Sequence, residues 1–587
     1  MDLNLALNSA SFCADETKCS MLDHLFKSFS SFQAANQEIK KISALKTFFN
    51  SDEEFNDLKK IISGIDNGFT HKYERQWGDF QTPRQLANQI CHYLRDQGVS
   101  PQIIVEPTCG TGNFIFASLD SFPNSKLIYG VEIQKYYEWA LKRDLLVEAS
   151  SGQKSKVEID IHNDDIFTHE FPKEVFKSEN ILIIGNPPWV TNAELGSLQA
   201  INLPKKSNIK SLKGMDALTG KSNFDLGEFV LLRILDIFSN CRGTLAMLCK
   251  NIVIKNIIEN LPKTEYKVSN IRALEIDAQK NFGAAVNASL LVMNLGSSNS
   301  DFTCQVSSLD NPDKIKTTFG WVGNKFVSNV EDYKTNSDLD GISPMEWRQG
   351  VKHDCSKIME LDAKEDSCIN GKGEIVDVES EWTYWLLKSS DIRSFKATPR
   401  KKVIITQNKI GEDTSKLQQA APNLWRYLSD NAEYLDKRKS SIYRNKPKFS
   451  IFGIGEYSFK QYKVATSGMY KKPNFSLVSP IENRPMMLDD TCYFIGFNSY
   501  SDALFTASIL NMPKVLNFLA SIVFEDAKRP YTKDTLMRID LGKAANETPF
   551  SNLKAFWDEI GYVLEKPVTE SDFEAYKKRF HALRSFS

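Results

Sequence analysis

Short apolar runs alternate with amphipathic stretches between residues 81 and 293. The runs 103–105, 127–131 and 181–184 lack polar alternation, which is typical of parallel strands covered on both faces. The stretch 85–94 has helical spacing, and Thr82-Pro83 before it predicts an N-cap at Thr82 with Pro83 as the first helical residue. Strands alternating with helices predict an α/β domain built on a Rossmann-like sheet.

The pattern changes on both sides of this region. Residues 1–75 look helical, because Leu22, Leu25, Phe26 and Phe29 recur at intervals of three or four. A strand near 159–161, a polar loop over 191–222, a helix over 224–238 and strands over 243–249 and 288–293 continue the α/β region. A Ser/Asn-rich linker follows at 297–300. The predicted domains are therefore 1–75, 76–298 and 299–587, with 500–587 mainly helical.

The run 181–184 ends in Gly185 and then in Asn-Pro-Pro-Trp, residues 186–189. Two prolines fix two φ angles and remove two backbone donors, so a stiff loop follows the strand. Open α/β sheets bind ligands at this end of their strands. The Asn186 amide oxygen and the Pro187 carbonyl can accept both N–H bonds of a nucleobase amino group and free its lone pair, while Trp189 stacks on the ring. A rigid turn after a core strand is the alternative.

A glycine-rich turn follows the run 103–105, in the sequence Glu-Pro-Thr-Cys-Gly-Thr-Gly-Asn-Phe, residues 106–114. A strand, a glycine-rich turn and a helix are the cofactor geometry of a Rossmann-like sheet. Gly110 and Gly112 let the backbone approach a ligand. Ile115 stands where a dinucleotide fingerprint has its third glycine, and Glu106 suits an ammonium group better than a pyrophosphate. The sequence therefore predicts a cofactor other than a dinucleotide.

Acidic residues also end the next two predicted strands. Glu132 follows the run 127–131, where such a residue typically accepts hydrogen bonds from ribose hydroxyls. Asp164 and Asp165 follow the third strand, and either carboxylate is a candidate acceptor for an adenine amino group, with Ile166 and Phe167 flanking the ring. Capping of the next helix is the alternative for these two carboxylates.

Composition is that of folded domains, with 41% hydrophobic and 25% charged residues over 587 positions. The net charge is −1, so a nucleic-acid partner requires a local basic surface. Residues 381–480 contain 19 Lys and Arg against 8 Asp and Glu, with aromatic residues interleaved over 437–475. This excess favours a polyanion partner over a merely solvated face.

The patterns of cysteine and of hydropathy indicate the cellular compartment of the protein. The ten cysteines are scattered, without zinc-ligand spacing, and this predicts reduced thiols in a cytoplasm. We find neither a secretion signal nor an apolar run of about 18 residues, and expect no membrane span.

The order of these motifs resembles the gamma class of S-adenosylmethionine-dependent adenine-N6 DNA methyltransferases of restriction-modification systems, most strongly from Gln81 to about Met293. The resemblance implies a class I methyltransferase sheet and a C-terminal α+β target-recognition domain. It places the methionine end of the cofactor at Thr82 and Glu106, the ribose at Glu132 and the adenine at Asp165. It implies that Asn186 and Pro187 grip the target amino group and that Trp189 and Phe282 sandwich an extruded base. For Phe282, simple core packing is an equal alternative.

The complete set of predicted site residues is larger. For S-adenosylmethionine they are Thr82, Glu106, Thr108, Gly110, Gly112, Glu132, Ile133, Asp165 and Ile166. For duplex DNA they are Lys352, Arg444, Lys446, Lys471 and Lys472. We expect no metal, a monomer in a bacterial or archaeal cytoplasm, and a cognate restriction endonuclease as a candidate partner.

Three alternatives remain open at the level of sequence. The Asn-Pro-Pro-Trp loop also serves cytosine N4, although enzymes of that type more often have serine in place of Asn186. It also serves methylation of a protein glutamine or of RNA, which needs no basic C-terminal domain of this size. The third alternative is a DNA-binding subunit whose catalysis depends on a partner, or a chain with a fused nuclease. Asp23 with Glu38 and Lys40 faintly resembles a restriction-nuclease metal site.

Overall fold

The computed structural model describes residues 29–56, 80–150, 155–190, 225–298, 301–364, 367–524 and 529–584. The chain divides into two compact units, Met1–Phe326 and Val327–Ser587. The predictions for Leu22, Leu25, Phe26 and Asp23, and for the loop 191–222, lie outside the described residues.

Ten strands of the described chain form one mixed sheet in the order β10-β9-β8-β6-β7-β5-β4-β1-β2-β3. The strands β1 to β5 are parallel to one another, and β7 is antiparallel to both β5 and β6. The predicted Rossmann-like sheet is thereby confirmed. Its strands are β1 Ile103–Glu106, β2 Leu127–Glu132, β3 Glu158–Asn163, β4 Ile181–Gly185, β5 Gly243–Lys250, β6 Val268–Ile276, β7 Ala288–Leu295, β8 Thr303–Ser308, β9 Thr317–Val322 and β10 Lys325–Val327.

Helices cover this sheet because their apolar positions face it. The helix at Arg84–Asp96 buries Leu86, Ile90 and Leu94, which recur at helical spacing and join a core cluster with residues of β1, β2 and β4. The helices of the first unit are Phe32–Ser43, Arg84–Asp96, Asn113–Ser121, Lys135–Ser150, Lys173–Phe176, Leu226–Phe238, Asn251–Asn260 and Ala278–Phe282.

The start of one helix in the first unit differs from the sequence prediction. Pro83, not Thr82, occupies the N-cap of the helix at Arg84–Asp96, and no side chain caps that helix. The reason is that the extended backbone of Pro83 (ψ 139°) delays the first helical residue to Arg84. The sheet continues through β8, β9 and β10, and the two compact units meet in sequence at residues 326 and 327.

The second unit contains two smaller sheets and a helical end. A four-stranded sheet has the order β11-β20-β17-β18, and a six-stranded sheet has the order β14-β13-β12-β16-β15-β19. Their strands are β11 Arg348–Gln349, β12 Glu360–Lys364, β13 Ser367–Asn370, β14 Ile375–Val376, β15 Thr383–Leu387, β16 Lys401–Ile404, β17 Tyr462–Ser467, β18 Ser476–Val478, β19 Met487–Leu488 and β20 Cys492–Phe497.

The predicted helical character of 500–587 is confirmed over its described residues. Helices of the second unit are Val330–Asn336, Ser356–Met359, Leu417–Ala420, Pro422–Asp430, Ala432–Asp436, Tyr500–Leu510, Pro513–Ile522, Lys533–Leu536, Leu541–Glu547, Phe550–Glu559 and Glu570–Arg584. No single described helix is long and apolar enough to cross a membrane. One pair of consecutive helices, Tyr500–Leu510 and Pro513–Ile522, would be long and apolar enough if counted together, but the pair is bent by 60°.

Candidate active site

The sheet order brings the Asn-Pro-Pro-Trp loop next to the glycine-rich turn. The strands β1 and β4 are parallel neighbours, with Ile103 opposite Ile181 and Val105 opposite Ile183. Both motifs therefore leave the same edge of the sheet. The Thr108 hydroxyl donates a hydrogen bond to the backbone carbonyl of Asn186 over 3.3 Å, so the two loops are joined directly.

The side chain of Asn186 is oriented by a contact that the sequence does not reveal. Its Nδ2 donates to the backbone carbonyl of Phe80 over 2.9 Å. Its Oδ1 is buried and accepts no hydrogen bond from the described residues. Because one end of the amide is held, the other end is presented as a fixed acceptor. A buried acceptor without a donor costs about 1–3 kcal/mol, so this arrangement suits a ligand with an N–H group.

Three aromatic rings meet beside this amide. The Trp189 and Phe282 centroids are 5.0 Å apart with planes at 66°, and Phe80 lies 5.6 Å from Trp189 and 6.1 Å from Phe282. A base stacked between two parallel rings needs them about 7 Å apart, twice the van der Waals contact distance. The structure thus brings the two predicted aromatics together, in mutual contact and with Phe80 as a third member.

A partly buried ion pair fixes the far end of the Asn-Pro-Pro-Trp loop. The Lys250 ammonium donates to the Trp189 carbonyl over 3.1 Å and to Asp225 Oδ2 over 2.7 Å. Asp225 in turn caps the helix Leu226–Phe238, since its Oδ1 accepts from the Gly227 amide. The loop is therefore held by Thr108 at its start and by Lys250 at its end.

Glu132 supports the glycine-rich turn from the end of β2. Its Oε2 accepts from the Gly110 amide over 2.8 Å, and its Oε1 accepts from the Gln134 amide over 2.7 Å. A carboxylate oxygen can accept more than one hydrogen bond, so the two backbone bonds are compatible with a contact to a ligand hydroxyl. Ile133, the next residue, is 45% exposed, which leaves an apolar surface beside Glu132.

The two glycines of the turn are required by different contacts. Gly110 has φ +50°, and a Cβ there would lie 2.4 Å from Gln81 Oε1, which accepts from the Thr111 amide and hydroxyl. Gly112 has φ +79°, and a Cβ there would lie 2.1 Å from Leu141 Cδ1. The first glycine therefore admits the Gln81 amide to the turn, and the second admits a neighbouring helix.

Glu106 is a buried carboxyl whose environment suits a cation. It is 3% exposed, and its Oε2 accepts no hydrogen bond from the described residues. Burial raises the pKa of Glu106 well above its usual range, the charge of Glu132 raises it further, and a hydrogen bond from the Ile115 amide partly offsets both. An amino-acid ammonium or a sulfonium beside Oε2 relieves this cost, so the carboxyl fits S-adenosylmethionine.

The turn after β3 is braced by side chains beneath it. Asp165 Oδ1 accepts from the Phe167 amide over 3.0 Å, and Ile166 is buried. Asp164 accepts from the Asp165 amide and pairs with His169 Nδ1 at 2.8 Å. Asp164 therefore shapes the turn, which leaves Asp165 as the better candidate for a ligand contact.

Thr82 contributes to the same turn through its backbone. It is 6% exposed, and its carbonyl accepts from Asn113 Nδ2 over 2.8 Å. Phe80, Gln81 and Lys250 were not predicted as site residues. Near Phe80 and Gln81, the only sequence signal is the adjacent Thr-Pro pair. No sequence signal marks Lys250, because its contact with Trp189 depends on the pairing of strands in the sheet.

The predicted DNA-contacting residues lie on separate surface segments of the second unit. Arg444 and Lys446 are exposed on an irregular segment after Tyr443, and Lys471 and Lys472 are exposed between β17 and β18. Lys352 differs from them, because its ammonium pairs with two carboxylates, Asp354 at 2.9 Å and Asp490 at 3.5 Å.

Comparisons with known proteins decide the family. Residues 60–260 match the family described as N-6 DNA Methylase. The type II methyltransferase M.NspV from Nostoc sp. is 39% identical over 478 residues, covering 80% of this chain and 97% of that protein. The chain belongs to the N-6 DNA methylase family. The resemblance inferred from the motif order is confirmed.

Two further matches are more distant. The type II methyltransferase M.CvrRI from Paramecium bursaria Chlorella virus XZ-6E is 35% identical over 114 residues, 19% of the methylase and 25% of that protein. Among solved structures, the type IIL restriction-modification enzyme MmeI in complex with DNA aligns with a TM-score of 0.44 and 11% identity, covering 86% of the methylase and 75% of that chain.

Membership of this family defines the reaction. The methylase transfers a methyl group from S-adenosylmethionine to adenine N6 at specific sites in DNA. The predicted activity and the predicted cofactor are thereby confirmed. The family supports adenine N6 as the methyl acceptor over the alternatives raised from the sequence, which were cytosine N4, a protein glutamine and RNA.

Proposed function

We propose that the methylase acts on an adenine rotated out of duplex DNA and held at the Asn-Pro-Pro-Trp loop. Extruding a base costs a few kcal/mol and exposes its amino group on all sides. The observation that carries this proposal is the fixed, unsatisfied Asn186 Oδ1, whose amide is held by Phe80. Asn186 Oδ1 accepts one amino hydrogen, and the carbonyl of Pro187 accepts the other.

These two hydrogen bonds favour a pyramidal nitrogen whose lone pair is available for attack. When bound, S-adenosylmethionine supplies an electrophilic methyl group on its sulfonium. The chain itself provides positioning and electrostatic polarisation, which together account for most of the catalysis in such a site. Trp189 holds the adenine by stacking, and the base enters as the contacts among Trp189, Phe282 and Phe80 open.

For the cofactor site, we propose that Glu106 and Thr82 hold the methionine end. Thr108, Gly110 and Gly112 form the backbone cradle, Glu132 and Ile133 contact the ribose, and Asp165 and Ile166 contact the adenine ring of the cofactor. The burial of Glu106 and the exposure of Ile133 support this division, because the methionine end of the cofactor is cationic and the carbon face of the ribose can pack on an exposed aliphatic side chain.

For DNA, we propose that Arg444, Lys446, Lys471 and Lys472 contact phosphates, since all four are exposed. Lys352 is the weakest member of this set, because its charge is shared with two carboxylates. The domain boundaries at 75 and 298, a monomeric state, a bacterial or archaeal cytoplasm and a cognate restriction endonuclease remain predictions from the sequence.

The decisive experiment is Asn186→Ala in the full-length chain. We expect methyl transfer to DNA to fall by at least about 100-fold, because an oriented acceptor is lost, while S-adenosylmethionine binding measured by calorimetry stays unchanged. Asn256→Ala is the matched control, since Asn256 is also a part-buried asparagine whose Nδ2 makes one side-chain hydrogen bond, to Glu228. Methylation at the wild-type rate by Asn186→Ala would refute the assigned chemistry.

A further inference from the structure

Three consecutive side chains project from the loop that follows β16 in the six-stranded sheet. Asn408, Lys409 and Ile410 are all exposed, and Ile410 is 52% exposed. The tip therefore presents an amide, an ammonium and a branched aliphatic group side by side. The same three chemical types contact adenine, guanine and the thymine methyl group in the DNA major groove.

The tip is held by the carboxylate of a neighbouring residue. Glu412 Oε2 accepts a hydrogen bond from the backbone N–H of Asn408 over 2.6 Å and from the backbone N–H of Lys409 over 3.4 Å. The other carboxylate oxygen pairs with the ammonium of Lys416. Because these bonds fix the backbone of the tip, little conformational entropy remains to be lost on binding.

A fully buried amide supports the tip from below. Gln407 is 0% exposed, and its Nε2 donates to the Lys409 carbonyl over 2.8 Å and to the Ile451 carbonyl over 3.2 Å. The Ile451 amide donates back to Gln407 Oε1 over 3.4 Å. Gln407 thus connects the loop by hydrogen bonds to Ile451, in the basic segment 437–455.

Two threonines extend this connection along the basic segment. The Thr406 hydroxyl donates to the Phe449 carbonyl over 2.8 Å, and the Thr414 hydroxyl donates to the Lys448 carbonyl. The segment carries exposed Arg444, Lys446 and Lys448, and residues 437–455 contain no acidic residue. The tip and the basic segment are therefore joined by side-chain hydrogen bonds.

We propose that Asn408, Lys409 and Ile410 read base edges of the target site, while Arg444, Lys446 and Lys448 hold the adjacent phosphates. This inference rests on the proposed function of the second unit in binding duplex DNA. Phosphate contacts fix the register of a protein on the duplex, and base contacts supply its specificity. The hydrogen bonds of Thr406 and Thr414 transmit that register from the basic segment to the reading tip.

The test begins with the recognition sequence of the wild-type protein. Genomic DNA from a methylation-deficient host that expresses the full chain is sequenced for N6-methyladenine, and this defines the site. Asn408→Ala and Ile410→Ala are then compared with wild type on the cognate duplex and on duplexes changed at one position. We expect discrimination at one base pair to fall by about 5- to 150-fold for each variant. Lys446→Ala should instead weaken binding equally on all duplexes and lower the salt slope by about one.

Ile375→Ala is the matched control, because Ile375 is an isoleucine of the same sheet with 74% exposure. It should leave discrimination, affinity and S-adenosylmethionine binding unchanged. If Asn408→Ala and Ile410→Ala retain the wild-type discrimination, the reading role is refuted while the proposed DNA-binding function stands. If the wild-type protein leaves adenine in DNA unmethylated, both the reading role and the proposed function are refuted.

Discussion

Replacing Glu106 with glutamine should have opposite effects on the stability of the cofactor-free protein and on cofactor binding. Burial raises the pKa of Glu106 in the folded protein well above its usual value near 4.5. Between the unfolded and the folded pKa values, the folded chain therefore holds a proton that the unfolded chain has lost. The free energy of unfolding consequently falls as pH rises through this window.

The magnitude follows from the same linkage. Each unit of pKa elevation costs about 1.4 kcal/mol of stability once the pH exceeds the folded value. Glu106→Gln removes the charge and with it this dependence, so the variant should be more stable than wild type at pH 8 and gain nothing at pH 5. A glutamine amide in the same place costs about 1–3 kcal/mol if it lacks partners, and this cost is subtracted from the gain.

Cofactor binding should move in the other direction. A hydrogen bond from an ammonium to a carboxylate contributes about 1.5–3 kcal/mol, so the Kd for S-adenosylmethionine should rise about 10- to 150-fold. Calorimetry measures the Kd, and thermal unfolding at pH 5 and pH 8 measures stability. Glu170→Gln is the control, because Glu170 is exposed in the same unit. A variant that binds the cofactor normally, or that loses stability at pH 8, would contradict this account of Glu106.

Three further substitutions test other parts of the structure. Gly112→Ala should destabilise the fold by about 1–2 kcal/mol more than Gly98→Ala in denaturant titrations, because both have positive φ but only a Cβ at 112 meets Leu141. Burial lowers the pKa of Lys463 from 10.5 to about 7, so wild-type stability should rise between pH 7 and 10 by a total on the order of 4 kcal/mol, and Lys463→Met should abolish the rise. Trp189→Leu should lower kcat/KM for DNA by about 5- to 150-fold through lost stacking, whereas Trp189→Phe should retain most of it.

The elements predicted best from the sequence are those buried on both faces. The strands β1, β2 and β4 lie inside the sheet and read as continuous apolar runs, so their positions were predicted to within a residue or two. The strand β6 was missed. It is only partly buried, and its pairing with β7 is interrupted between Ser269 and Arg272, so neither an apolar run nor a regular alternation marks it.

The residues of the candidate site also differ in how far the sequence predicts them. Motifs carried by one short segment, such as Asn186 to Trp189, are recognisable because their chemistry is local. The supporting contacts are not local: Phe80 lies 106 positions from Asn186 in sequence, and Lys250 lies 61 positions from Trp189. Lysine and phenylalanine are common core-lining or surface residues, and nothing in their flanking sequence distinguishes these two. Such contacts follow only from the order of the strands.

That order also explains how the sites proposed for the methyl donor and the acceptor come together. Glu106 ends β1, and Asn186 follows the end of β4, its parallel neighbour. Adjacent strands lie about 4.8 Å apart, so the carboxylate proposed for the cofactor and the acceptor proposed for the target amine start from neighbouring backbones. The Thr108 hydroxyl then ties the two loops at a fixed distance. Because a well-oriented pair of reactants recovers about 7–11 kcal/mol of barrier, the hydrogen-bonded ladder between β1 and β4 is itself part of the catalytic apparatus we propose.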